Sequence, residues 1–103
     1  MTKFNDNLAA LAIADNIQKI ELLDGSGNLT GIIENKPGSQ GSIRVYHHLF
    51  KKYDSINVEA AKDGLAIYAE HTADAEQNPG KHPNIDRLFE IIKRNSPLTV
   101  RII

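Results

Sequence analysis

The stretch from Ile17 to Glu34 constrains the fold most, because it predicts a β-hairpin with a defined loop. Residues 17–23 alternate in polarity, so that Ile20 and Leu22 share one side of a predicted strand. The sequence Asp-Gly-Ser-Gly-Asn at 24–28 is a strong turn signal, and residues 29–34 form the predicted returning strand. The fold is therefore built around an antiparallel pair joined by a five-residue loop.

The spacing of apolar residues predicts four helices around this hairpin. They run from Asn5 or Asp6 to about Asp15, from about 40 to 53, from about Val58 to Glu76, and from about 82 to 95. In the second, Ile43–Tyr46 could also form a strand, but apolar residues recur at helical spacing as far as Tyr53, which favours a helix. The third has two stripes of mainly apolar residues and is rich in small side chains, which indicates packing on more than one side.

Residues 98–103 alternate again and predict a last strand, which gives the order α-β-β-α-α-α-β. The simplest architecture of this order is an α+β fold, in which a small three-stranded, mainly antiparallel sheet is packed by about four helices. A length of 103 residues fits a single globular domain covering residues 1–103.

Composition excludes several classes of function. The chain has no cysteine, which rules out disulfides, thiolate metal sites and cysteine nucleophiles and favours a cytoplasmic location. The net charge is −1 and no basic block occurs, so no nucleic-acid partner is expected. No apolar run approaches the roughly 20 residues of a membrane span, so no membrane partner is expected either. No motif indicates a cofactor.

Two strings within the chain are distinctive. The first runs from Glu34 to His47, and the second joins Glu70–Asp74 to Pro79–Leu88. Together with the chain length, they resemble a family of small bacterial proteins described only as a domain of unknown function. The resemblance covers nearly the whole chain and implies a free-standing bacterial protein. It carries no activity and no functional residues over to this sequence.

Two loops that lead into the N-termini of predicted helices contain glycine or proline together with basic residues. Each of these loops is a candidate anion site. Backbone N–H groups at a helix N-terminus attract negative charge. The candidate ligand-binding residues are Lys36, Gly38, Ser39, Gly41, Ser42 and Arg44 in the first loop, with Lys81 and His82 in the second. The alternative is that both loops are ordinary connections in which a serine caps one helix and Pro83 starts the other.

His71 and Asp74 are the weak catalytic candidates. At a spacing of three on a helix they are neighbours, and a carboxylate beside an imidazole can orient it as a general base. The alternative is a surface pair without a role. No metal site is expected, because His47 and His48 are adjacent in sequence and no H-x-x-x-H or H-E-x-x-H spacing occurs.

Three functions remain open on the sequence. The leading hypothesis is a small cytoplasmic protein that binds an anionic small ligand at the two loops. The alternative is a homo-oligomeric structural module or a module that binds another protein, suggested by the two-sided helix 58–76 and by the possible free edge of strand 98–103. The third is a small enzyme in which His71 acts as the base.

Overall fold

The computed structural model describes residues 3–103, which form one three-stranded antiparallel sheet and five helices. The strands are β1 (Lys19–Leu23), β2 (Leu29–Glu34) and β3 (Thr99–Ile102). The helices are α1 (Phe4–Ala9), α2 (Gln40–Tyr53), α3 (Val58–Tyr68), α4 (Glu70–Gln77) and α5 (Pro83–Arg94). The α+β class is confirmed, and so is the predicted order, with α3 and α4 together in the place of one predicted helix. None of the helices in residues 3–103 has the length and apolar character needed to cross a membrane.

The hairpin forms as predicted, and its loop is held by one aspartate. The Asp24 carboxylate accepts hydrogen bonds from the backbone N–H groups of Ser26 and Asn28, each at 2.9 Å. A short acidic side chain that bonds the backbone ahead of it is a common way to stabilise such a turn. Strand β1 lies in the centre of the sheet, because β3 returns antiparallel on its other side in the order β2-β1-β3.

One face of the sheet is covered by helices, and the core lies between the two layers. Helix α2 contributes the largest buried group to this core, namely Ile43, Val45, Tyr46 and Leu49. Its observed bounds confirm the helix that apolar spacing favoured over a strand at 43–46. Ile20 and Leu22 of β1 face this layer and are fully buried.

Helix α3 runs between α2 and α5, and its small residues make this close packing possible. A Cβ atom placed on Gly64 would lie 2.8 Å from Leu88 Cδ1 and 2.9 Å from Leu49 Cδ1. Both distances are shorter than a van der Waals contact, so only glycine fits here without movement. Packing on two sides, as predicted for this helix, is therefore met within the chain.

The single helix predicted over 58–76 is wrong, because the backbone turns at Ala69. This residue has φ 53° and ψ −115°, which ends α3 and begins α4 in a new direction. Carbonyls near the end of α3 are satisfied from elsewhere: Thr72 Oγ1 donates to the Leu65 carbonyl, and the Asn7 amide donates to the Ile67 carbonyl at 2.9 Å. The break is thus supported by tertiary hydrogen bonds at a helix end.

Helix α1 is shorter than predicted, since it begins at Phe4 and ends at Ala9 instead of running to about Asp15. The Arg44 guanidinium explains the early end, because it donates to the carbonyls of Leu8, Leu11 and Ala12. None of the six residues of α1 is fully buried. Polar bonds to neighbouring elements therefore hold this segment in place together with the half-buried side chains of Phe4, Leu8 and Leu11, which pack against the core.

Candidate functional site

The N-termini of α2 and α5 open onto one cleft of about 470 Å³. This volume lies within the range of small-molecule sites, roughly 300–1,000 Å³. Helix α4 forms another wall, and α1 borders the cleft on the remaining side. The lining residues are Phe4, Leu8, Gly38, Gln40, Gly41, Ser42, Tyr68, His71, Lys81, His82, Pro83, Asn84 and Ile85.

Asp74 organises the cationic side of the cleft. Its Oδ2 atom lies 2.6 Å from His82 Nε2 and 2.9 Å from Lys81 Nζ. The hydrogen bond from His82, followed by that from Lys81, lowers the pKa of Asp74 to about 2. The carboxylate is therefore ionised at physiological pH, and it holds the imidazole and the ammonium group beside each other.

An aromatic wall, formed by Phe4, Tyr68 and His71, adjoins this cationic side. The rings of Phe4 and Tyr68 stack with centroids 5.2 Å apart, and His71 meets Phe4 edge-on at 5.1 Å. The His71 and His82 rings are 5.7 Å apart, so the wall continues to the charged group. Tyr68 is 3 % exposed and fixes the wall to the core. The cleft thus has an apolar part and a charged part next to each other.

The first turn of α2 supplies hydrogen-bond donors to the cleft. The first in-helix bond is donated by Ile43 to the Ser39 carbonyl, so the preceding N–H groups have no partner within the helix. The Tyr68 hydroxyl donates to Ser42 Oγ at 2.8 Å, and burial raises the pKa of Tyr68, which keeps the phenol protonated. The Ser42 hydroxyl can therefore direct its own hydrogen toward the cleft.

Helix α5 contributes fewer donors at its N-terminus. Its first residue, Pro83, has no N–H group, and the N–H groups of Ile85 and Asp86 both donate to the His82 carbonyl. The Asp86 carboxylate accepts from the Gly80 N–H at 2.9 Å. The backbone donors of the cleft therefore come mainly from α2, and the side-chain cations come from the loop before α5.

The two predicted anion loops lie side by side, although not all of their candidate residues face the same space. Five candidates line the cleft, namely Gly38, Gly41, Ser42, Lys81 and His82. Lys36 instead pairs with Glu34 at 3.2 Å, and Ser39 Oγ donates to the Glu34 carbonyl at 2.8 Å. Arg44 lines a second, smaller cleft of about 210 Å³ and binds the carbonyls after α1.

The predicted pairing of His71 with Asp74 is wrong. Asp74 reaches across to the loop before α5, where it bonds the Lys81 ammonium group and the His82 imidazole. The His71 ring packs against Phe4 instead. In the enzyme hypothesis, the imidazole oriented by a carboxylate is therefore His82 and not His71. His71 nevertheless lines the same cleft.

Sequence reasoning missed the aromatic wall. Phe4 lies four residues before Leu8 and on the same face of α1, a spacing that could have shown both as one apolar patch. The predicted helix began at Asn5 or Asp6, which excluded Phe4. Gly41 gives the second signal, because a Cβ atom there would lie 3.2 Å from Phe4 Cζ. Its lack of a side chain lets α1 approach the first turn of α2.

Within residues 3–103, no group of three or more His, Cys, Asp or Glu side chains is arranged to hold a metal ion. Residues 4–102 match the family described as an uncharacterized protein conserved in bacteria (DUF2322), and the chain belongs to this family. The resemblance seen in the two sequence strings is thereby confirmed. No curated protein and no solved structure gives a significant match.

Proposed function

We propose that this bacterial protein binds a small anionic ligand in the cleft between the N-termini of α2 and α5. One observation carries the proposal: the glycine-containing loop before α2 and the loop with Lys81 and His82 before α5, which are far apart in sequence, line the same cleft. The N–H groups at the N-terminus of α2 carry positive partial charge, and the Lys81 ammonium group adds a full charge to the same cleft.

The contacts suggest how such a ligand is held. Its negative group meets the N–H groups of the first turn of α2, the Ser42 hydroxyl and the Lys81 ammonium group. Asp74 acts as a positioning residue, since it bonds both Lys81 and His82 from the side of α4. Preorganised donors of this kind lose little side-chain freedom when the ligand arrives.

A thermal-shift panel with phosphate, sulfate, nucleotides, sugar phosphates and carboxylates tests the proposal. A ligand that binds only the folded state at a hundredfold excess over its Kd stabilises the protein by about 2.7 kcal/mol. We expect Lys81→Met to remove most of the shift. Lys36→Met is the matched control, because Lys36 pairs with Glu34 outside the cleft and its change leaves the shift intact.

Two outcomes contradict the proposal. One is a panel in which no anion raises the unfolding temperature. The other is an equal loss of binding in Lys81→Met and Lys36→Met, which would mean that the effect follows net charge instead of the cleft. Circular dichroism of both variants checks that the fold is retained.

We also propose a cytoplasmic location, since the sequence contains no cysteine and small exported domains often depend on disulfides. Fractionation of bacteria that express the native gene tests this point. Recovery of the protein in an extracytoplasmic fraction would contradict it.

A second candidate function, assembly into a homo-oligomer, is supported by the sheet face turned away from the helices. Ile32 is 44 % exposed there, and its register partner Glu21 is covered by Arg101, whose Nε lies 2.6 Å from Glu21 Oε1. Leu29 and Ile103 are also exposed. Light scattering of the wild type and of Ile32→Lys tests this candidate, and a monomer in both cases would contradict it.

A further inference from the structure

We infer that the cleft selects a carboxylate carried on a ring-sized apolar body over a phosphate. This inference rests on the proposed function, because it names the class of anion that the same cleft takes. Two features of the lining carry it: the small net charge of the cationic side, and the aromatic wall beside it.

The charge around the cleft suits one negative charge. Among the described lining residues, Lys81 is the one side chain with a permanent charge, and Asp74 already neutralises it at 2.9 Å. Beyond the lining, the Arg87 guanidinium bonds the Asn84 side chain at 2.9 Å, and the Glu70 carboxylate bonds the Phe4 N–H at 2.7 Å. Asp86, which accepts from the Gly80 N–H, and Lys3, which lies close to Glu70, add one charge of each sign, so the fixed charges around the cleft leave no positive excess.

The donors of the described lining suit a single negative charge. The N–H groups of the first turn of α2, the Ser42 hydroxyl and the Lys81 ammonium group can hold it together. A phosphate monoester carries about −1.5 to −2 at pH 7. Its second charge finds no further permanently charged cation among the described lining residues, and the Asp74 carboxylate that pairs with Lys81 disfavours additional negative charge beside it.

The aromatic wall favours a ligand that carries an apolar group beside its negative charge. Phe4 and Tyr68 stack on each other, and Leu8 and Ile85 lie beside them in the lining. A bare inorganic anion would contact the donors and leave this wall in water. A ring next to the carboxylate covers it and gains the free energy of apolar burial, about 25 cal/mol per Å². The Phe4 and His71 rings, which are nearly perpendicular to each other, can meet such a ring face-on or edge-on.

Four small probes separate the effect of the negative charge from that of the ring. They are compared in isothermal titrations at about pH 7.5, where phosphate monoesters are mainly dianions. They are benzoate, benzamide, acetate and phenyl phosphate. We expect benzoate to bind most tightly. Benzamide, which has the ring without the charge, and acetate, which has the charge without the ring, should each bind at least about tenfold more weakly, which is about 1.4 kcal/mol. Phenyl phosphate should bind more weakly than benzoate.

The variant Asp74→Asn tests the charge argument directly. Removing the carboxylate should raise the affinity for phenyl phosphate relative to benzoate by about fivefold or more, on the scale of one unit charge at a partly exposed site. The affinity ratio is the readout, because a general loss of positioning weakens both probes alike. Glu90→Gln, which removes an equal charge paired with Arg94 outside the lining, is the control and leaves the ratio unchanged.

The outcomes distinguish the inference from the proposed function. Phenyl phosphate or inorganic phosphate binding more tightly than benzoate would overturn the inference and leave the anion site standing. Equal binding of benzoate and acetate would overturn the role of the aromatic wall. If none of the probes and no anion of the thermal-shift panel binds, the proposed function itself is rejected.

Discussion

Replacing Ala69 by glycine tests the turn that separates α3 from α4 and so places His71 and Asp74 at the cleft. Ala69 has φ 53° and ψ −115°, a conformation that disfavours a residue with a Cβ atom. Such backbone strain costs about 1–3 kcal/mol. Glycine removes it but adds about 0.4–1 kcal/mol of unfolded-state entropy. We therefore expect the free energy of unfolding to rise by about 1 kcal/mol.

The assay is equilibrium unfolding in urea, supported by the unfolding temperature, which should rise by about 4 °C or more for a domain of this size. Ala66→Gly is the matched control. Ala66 is exposed in the last turn of α3 and has helical neighbours, so the same loss of a methyl group should cost up to about 1 kcal/mol. The two substitutions should thus change stability in opposite directions.

A free energy of unfolding that falls by as much in Ala69→Gly as in Ala66→Gly would contradict a strained turn at residue 69. That result would mean that residue 69 adopts an ordinary helical conformation in solution. Residues 58–77 would then form one continuous helix, and the Asp74 carboxylate would no longer be directed to Lys81 and His82 as described.

Two further predictions concern the pH dependence and the core. The folded pKa of Asp74 is lowered from 3.8 to about 2, so its contribution to stability is present above about pH 4 and is lost as the pH falls through about 2. Urea unfolding across this window should show the wild type losing its advantage over Asp74→Asn, and parallel curves would contradict it. In Gly64→Ala, overpacking against Leu88 and Leu49 should lower the free energy of unfolding by about 1–3 kcal/mol, while the higher helix propensity of alanine should raise it by about 1 kcal/mol. Urea unfolding should therefore show a lower stability, and a more stable variant would contradict the packing described for α3.

The elements that sequence predicts well are those with local signals. The hairpin is marked by the turn at 24–28, which Asp24 stabilises through bonds to residues two and four positions ahead. Helix α2 is marked by apolar residues at helical spacing, and the bounds 40–53 follow from it. In both cases, the interactions that decide the structure lie within a few residues of each other, where a pattern can show them.

The break at Ala69 has no local signal, because alanine is the residue that most favours a helix. The bonds that satisfy the carbonyls at this helix end come from Thr72 and from Asn7, which lies 60 positions from its acceptor. The early end of α1 has the same origin, since the Leu11 carbonyl is bound by Arg44 from 33 positions away. Tertiary bonds of this kind override propensity, and a single sequence does not display them.

In the candidate site too, the local features could be predicted from the sequence and the tertiary arrangement could not. Each loop could be identified from its own glycine, proline and cations, but their meeting in one cleft depends on how α2 and α5 pack around α3. The partner that a single side chain selects could not be predicted from the sequence either, as Asp74 illustrates. Its neighbour on the helix, His71, is close in sequence, yet Asp74 bonds Lys81 and His82 on the next loop instead.

The way helix α1 is attached has a consequence for the exchange of its amide protons and for the detection of a ligand in the cleft. The segment 3–12 is attached through hydrogen bonds from Arg44 to its carbonyls, from Asn7 to the Ile67 carbonyl and from the Phe4 N–H to Glu70, and none of the residues of α1 is fully buried. Local opening of such a segment costs far less than global unfolding. Its amide protons should therefore exchange with solvent deuterium long before those of α2 or β1. Because Phe4 and Leu8 also line the cleft, a bound ligand slows this exchange, and the segment becomes a natural reporter of occupancy.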